Sequence, residues 1–206
     1  MTATTNTPTP FKDDAEYLDA NIAAIHARCR RIVSERELRE AQQPHDRHGD
    51  VAEAQQKATT ALQRQKAVGG ALDARLAVHR AEDSFTLGID KLTAEADLND
   101  EARMILLCCF SAAISEDTAV EVFDGLDFAM YVSMTVEGLC RVLEANTVAD
   151  RLRVRRYFES EAPLLKHGLV KLDGRLDRDV AEDLNGINIK LTAKAFNVLV
   201  GAEVQR

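Results

Sequence analysis

The stretch from Phe158 to Gly201 constrains the fold most, because its apolar pattern changes period within a short distance. Ala162-Pro163-Leu164-Leu165 leads through His167-Gly168 into Leu169-Val170-Lys171-Leu172. A polar connection follows, then Ile187-Asn188-Ile189-Lys190-Leu191, and a helical run closes at Leu199-Val200-Gly201. Alternation with a period of two marks strands, and the wider period marks a helix. The segment therefore predicts two paired strands joined by a loop and finished by a short helix. No residue in it has the setting of a reaction centre.

Upstream, the pattern is helical. Leu18, Ile22, Ile25, Cys29 and Ile32 are spaced by four, three, four and three, which draws one stripe close to a heptad seam. Asp13, Asp14, Glu16 and Asp19 precede Arg28, Arg30 and Arg31, an order that complements the helix dipole. The first helix is expected from Phe11 to Gln43, with a break at Pro44 to Asp50. A second is expected from Val51 to Glu82, striped by Ala54, Ala58, Ala61, Gln65, Val68, Leu72 and His79 with Leu62 and Leu76 beside it, and Gly69-Gly70 as a point of weakness. The two form an antiparallel hairpin or meet other chains as a coiled coil. Ser84 to Asp97 reads as a connector anchored by Phe85, Leu87, Ile89 and Leu92. Asn99 then caps an almost wholly apolar helix, Ala102 to Phe110, expected at the centre of the core. Helices are predicted at Thr118–Phe123 and Thr135–Glu144, with a loop at Asp124–Asp127 and a helix or turn at Val148–Tyr157.

The chain's 206 residues and 46% apolar content suit one or two globular domains. No apolar run approaches the roughly 18 residues of a membrane span. Met1 to Pro10, rich in Thr and Pro, reads as a disordered tail with no targeting pattern. Residues 11–82 balance 12 Lys and Arg against 12 Asp and Glu, so the whole net charge of −8 falls in residues 83–206, 14 against 22. Phosphate binding draws its affinity from Lys and Arg, so this balance opposes a nucleic-acid partner. Cys29, Cys108, Cys109 and Cys140 contain no C-x-x-C pair and are expected as buried free thiols in a cytoplasmic protein.

Candidate sites are few. His45 and His48 flank Asp46 in a polar loop, where a solvated loop accounts for them better than a metal cluster. His26 and His79 could meet across a hairpin but read as packed or exposed, and His167 reads as a turn residue. No Ser or Cys sits in a nucleophile elbow. The carboxylate pairs Asp13-Asp14 and Glu116-Asp117 read as helix starts. Arg151, Arg153, Arg155 and Arg156 form the basic cluster, for which a solvated face or salt bridges within the protein are simpler readings than a nucleic-acid patch. The chain lacks Trp and has only 5% aromatic residues, so base-stacking platforms are poorly supplied. Catalytic, metal and cofactor-binding residues are accordingly expected to be absent.

The order of elements from Leu98 to Gly201 resembles the winged-helix domain that precedes the ATPase core in a group of bacterial AAA+ proteins. Phe158, Ala162-Pro163-Leu164, Gly168-Leu169-Val170 and Leu199-Val200-Gly201 stand at the positions that carry the likeness. The upstream helices resemble that family's variable helical N-terminal region. The family's phosphate-binding loop, G-x-x-x-x-G-K followed by S or T, is missing, so the resemblance implies ATP and magnesium only for a longer parent.

The fold class expected is mainly α: long N-terminal helices, as hairpin or coiled coil, then a winged helix with a small β wing. The divisions are a tail at 1–10, a helical region at 11–82, a connector at 83–98, an autonomous winged helix at 99–201 and a tail towards a missing ATPase core at 202–206. The resemblance implies a non-catalytic interaction region that recruits substrate, adaptor or neighbouring subunits, with self-association open to it. Leu18, Ile22, Ile25 and Ile32 are the expected protein-binding residues. The competing readings are a winged-helix DNA-binding regulator and a coiled-coil adaptor.

Overall fold

The computed structural model describes residues 7–43, 50–82, 85–114, 134–173 and 187–202. The helix expected at Thr118–Phe123, the loop at Asp124–Asp127, the pair Glu116-Asp117, and His45, Asp46 and His48 lie outside these residues.

Helix α1 (Asp14–Ala41) begins where the extended Asp13 accepts the Glu16 N–H at 2.8 Å, while the Glu16 carboxylate reaches back to the Lys12 N–H. These contacts satisfy donors that a helix start leaves orphaned. Helix α2 (Val51–Glu82) starts similarly, with the Asp50 carboxylate accepting from Ala52 and Glu53. It stays helical through Gly69-Gly70. Glu40 and Ala41 share a cleft with Asp50 and Ala54, whereas Glu16 pairs with Arg75 at 2.9 Å. The two helices are thus the arms of an antiparallel hairpin. Its root is stitched by Arg75, which lies 4.2 Å over the Phe11 ring and donates to the Thr9 and Pro10 carbonyls. The described end of the expected N-terminal tail is therefore pinned to α2.

The expected connector holds a helix of its own, α3 (Gly88–Ala96), ended by Asp97 in the left-handed region. Leu87, Ile89 and Leu92 are fully buried, as their spacing implied. Helix α4 (Asp100–Ile114) takes its cap from Asn99, whose side-chain Oδ1 accepts the Ala102 N–H at 2.9 Å. Ala102 and the run from Ile105 to Ser111 are buried, which fits the central position expected for this helix.

Strand β1 (Met134–Thr135) leads into helix α5 (Val136–Val142), with the Thr135 hydroxyl accepting from Gly138. Helix α6 (Val148–Arg156) opens on a capping box between Thr147 and Asp150. One turn, α7 (Pro163–Lys166), precedes strand β2 (Val170–Asp173), strand β3 (Asn188–Leu191) and helix α8 (Ala193–Leu199). The sheet is antiparallel in the order β1-β3-β2, with Val170 opposite Leu191 and Met134 opposite Ile189. Only two strands were expected. Thr135, read as the first residue of a helix, instead ends β1 and caps α5. Helix, strand, two helices and a strand pair in this order make a winged helix.

The core is shared. Phe11, Tyr17, Leu18, Ile25 and Cys29 belong to the same buried cluster as Leu106, Phe110, Leu139, Leu164, Leu169 and Leu199. The described N-terminal half is thus packed into the winged helix. A tight junction joins them: the Asp14 carboxylate, 8% exposed, accepts the Gly88 N–H at 2.6 Å. A Cβ on Gly88 would lie 2.0 Å from the Val198 carbonyl oxygen, so only glycine lets α3 approach the end of α8 this closely.

Candidate functional site

The apolar stripe of α1 faces inward. Leu18 and Ile25 are only 3% and 2% exposed, while Ile22 and Ile32 are half-buried against the same core. Leu18 and Ile25 thus offer no surface to a partner. They are the seam that seats the hairpin on the winged helix.

Beyond Val33 on α1 and before Leu72 on α2, neither arm contributes to that core cluster. The distal hairpin projects past it. Ala58 is the sole buried side chain in this part of α2. Ala54, Ala61, Gln65 and Val68 are half-buried, as their spacing implied. Small side chains at the seam leave a cleft of about 650 Å3 between the arms. Ala27, Cys29, Val33 and Ala61 form its apolar floor, and Arg30, Glu53, Lys57 and Arg64 stand around it.

A second cleft, about 460 Å3, lies where α1 passes over the turn between α5 and α6. Arg36 and Arg39 line it from α1, Arg141 from the last turn of α5 and Asn146 from the connection to α6, with Ile32 and Val33 as apolar wall. Glu144 enters from a left-handed backbone position (φ 55°). Its carboxylate meets Arg31 at 2.5 Å and Arg28 at 3.2 Å. Arg31, and then Arg28, hold the Glu144 carboxyl below the usual glutamate range against the opposing effect of burial. Arg31 also binds Glu35 at 2.8 Å. Of these cleft residues Ile32 was singled out from the sequence as a protein-binding position, whereas the charged ones were not. The available signal was the spacing of Arg28, Arg31, Glu35 and Arg39, which places them on one face of α1.

Two of the four α6 arginines are shown paired with carboxylates. Arg151 meets Glu137 at 2.7 Å, and Arg153 meets Glu101 at 3.1 Å and Asp150 at 3.2 Å. These are the salt bridges expected from the sequence, and they oppose use of the same guanidiniums on phosphates. His79 packs edge-on to Phe85 with ring centroids 4.6 Å apart, and its Nε2 lies 3.0 Å from the Phe85 carbonyl. It is a buried packing residue at the hairpin root. His167 caps the end of α7, a turn role as expected.

All four cysteines are free and buried. Burial pushes the Cys29 and Cys109 thiols up to about 12, and those of Cys108 and Cys140 upward. None has the lowered pKa of an activated nucleophile. Among the described residues no three His, Cys, Asp or Glu side chains converge to hold a metal. Nor is any described helix long and apolar enough to cross a membrane.

A family model described as "Winged helix domain, variant" matches residues 1–205. No curated protein and no solved structure matches the chain.

Proposed function

We propose that this chain, which belongs to the winged helix domain variant family, is a non-catalytic protein-interaction region. The observation that carries this reading is the distal hairpin: two helical arms extend past the core, stay solvated on most faces and enclose an apolar-floored cleft. Helical grooves of this kind accept the apolar face of a partner segment. The winged helix serves as the base that holds the arm. Arg151 and Arg153 of its basic cluster are engaged in ion pairs, and the net charge of residues 83–206 is negative.

The resemblance to bacterial AAA+ proteins supports a finer version. In it, the hairpin recruits substrate, adaptor or neighbouring subunits, and the winged helix joins them to an ATP-driven motor. The positions carrying that resemblance are packing residues here: Leu164 and Leu169 are fully buried and Leu199 is 1% exposed. Magnesium and ATP would belong to the motor.

Cross-linking in the source cells tests the general reading. Partners captured by the intact chain should be lost when the distal hairpin is trimmed between residues 36 and 64, with circular dichroism showing the winged helix intact. An unchanged partner set after trimming would refute it. Beyond codon 206, a phosphate-binding loop within about one domain length of reading frame supports the motor version, and a frame without one refutes it.

A further inference from the structure

We propose that the distal hairpin is a self-association surface: the groove face of one copy packs against the same face of a second copy turned end for end. This rests on the reading of the chain as an interaction region and names the partner of that surface as a second copy of this chain.

The charge of the groove is divided along its length. Its stretch nearer the root, about 650 Å3, is lined by Arg30, Lys57 and Arg64 against Glu53 alone. Its stretch at the tip, about 210 Å3, is lined by Glu37, Glu40, Asp50 and Glu53 against Lys57 alone. Glu53 and Lys57 border both stretches, which places the two on one face of the hairpin. They also pair with each other at 2.8 Å, so their charges cancel. What remains is basic towards the root and acidic towards the tip. Arg64 is exposed and makes no ion pair among the described residues. Glu37 is exposed at the tip, and Glu40 is 58% exposed beside Arg36.

A partner of one sign is attracted by half of this face and repelled by the other half. A second copy, reversed, matches both halves at once. The centres of the two stretches lie about a dozen ångström apart at 1.5 Å per helical residue. A twofold axis crossing the groove near Lys57 therefore sets each basic stretch on the other copy's acidic tip. Every favourable contact is then made twice, as in any isologous pair. Association also covers the floor of Ala27, Val33 and Ala61, over which the aliphatic stems of the rim Arg and Lys side chains can lie. Residues 27–41 and 50–64 make a face about 22 Å long and about 20 Å across, so two copies bury on the order of 1,000 Å2. That is the size of a weak, reversible interface. The −8 of each copy opposes association in general, so the pairing depends on this local match.

The test is sedimentation equilibrium on the full chain from about 1 μM to about 1 mM, the range that a weak interface requires. The parent should show a reversible equilibrium between monomer and dimer. Arg64→Glu should weaken it by about tenfold or more. The tip variant Glu37→Lys/Glu40→Lys should do the same, although it lowers the net charge and with it the general repulsion. The two variants mixed should associate more tightly than either alone, because the mixed pair rebuilds one native contact of root stretch with tip. Lys66→Glu makes the same charge change on α2 outside both linings and should leave association unaltered. All four substituted positions are exposed, so the fold should survive, with circular dichroism as the check. Equal weakening by Lys66→Glu and Arg64→Glu would reduce the effect to overall charge and overturn the proposal. A dimer indifferent to Arg64→Glu and to the tip variant would have its interface elsewhere and would overturn it too. So would a chain that stays monomeric throughout; if trimming the hairpin still removes cross-linked partners, the broader reading survives that result.

Discussion

Gly88→Ala should be among the most damaging single-methyl additions to this protein. Gly88 opens α3 directly against the end of α8. An added Cβ would stand 2.0 Å from the Val198 oxygen and 2.9 Å from the Leu199 Cα, where ordinary contact begins at 3.4 Å. Both neighbours are backbone, so no rotamer change relieves the clash. α3 has to move away from α8 by an ångström or more. Overpacking of this kind costs about 1–3 kcal/mol. The same movement strains the 2.6 Å hydrogen bond from Gly88 N–H to the Asp14 carboxylate, and a bond to a charged group is worth about 1.5–3 kcal/mol. The combined loss is about 3–5 kcal/mol, against a usual total of about 5–15 kcal/mol for a domain. At this chain length each kcal/mol moves Tm by about 2–4 °C, so a fall of roughly 10 °C is expected. Thermal and urea unfolding followed by circular dichroism measure it. Gly70→Ala is the matched control: it lies within α2 with no atom within 4 Å of the added Cβ, and should gain up to about 1 kcal/mol. If Gly88→Ala unfolds within about 1 kcal/mol of the parent, the close approach of α3 to α8 is wrong.

Leu106, fully buried at the centre of α4, should lose about 2–5 kcal/mol on truncation to Ala in urea melts. The Glu144 carboxyl is held below its unfolded value, so its stabilising contribution is fully present above about pH 4.3 and lost as pH falls through its lower folded value. Glu144→Gln should therefore flatten the acid limb of the Tm–pH profile, and a limb identical to that of the parent would contradict the Arg28–Glu144–Arg31 arrangement. A disulfide-exchange reagent at mildly alkaline pH should label none of the four thiols in the folded chain and all four after denaturation; rapid native labelling would show a thiol outside the core. Residues 99–202 expressed alone should lack a cooperative melt, because α1 supplies Tyr17, Leu18, Ile25 and Cys29 to their core; a sharp transition in that fragment would restore the autonomous winged helix expected from its sequence.

Much of the fold was legible because long periodic segments leave little choice. The bounds of α2, the small-residue seam from Ala54 to Val68, the Asn99 cap and the wing strands all follow from spacing and caps. β1 was not legible, since Met134-Thr135 is too short to show a period and pairs with residues more than fifty positions away. The destination of the α1 stripe was not legible either. Periodicity says that Leu18 and Ile25 share a face, but what covers that face depends on segments distant in sequence. Here the winged-helix core covers it. The second cleft was hidden for a related reason, because Glu144 is recruited to Arg28 and Arg31 across 116 and 113 positions, and local charge counting sees only a neutral helical region.

The same long-range contacts define how the arm and the base are coupled. Asp14, at the root of α1, accepts from Gly88 at the start of α3, and its carboxylate would stand 2.8 Å from a Cβ on Gly201. Gly201 is in the left-handed region at φ 68°, which brings the turn after α8 back over Asp14. One side chain therefore touches the hairpin root, the entry to the central helices and the closing turn. α1 then makes a second junction further along, through Arg28 and Arg31 to Glu144. Two separated junctions on one stiff helix fix its direction as well as its position. Removing the Asp14 junction should leave α1 pivoting on Glu144, whereas removing the Glu144 junction should leave it seated at its root.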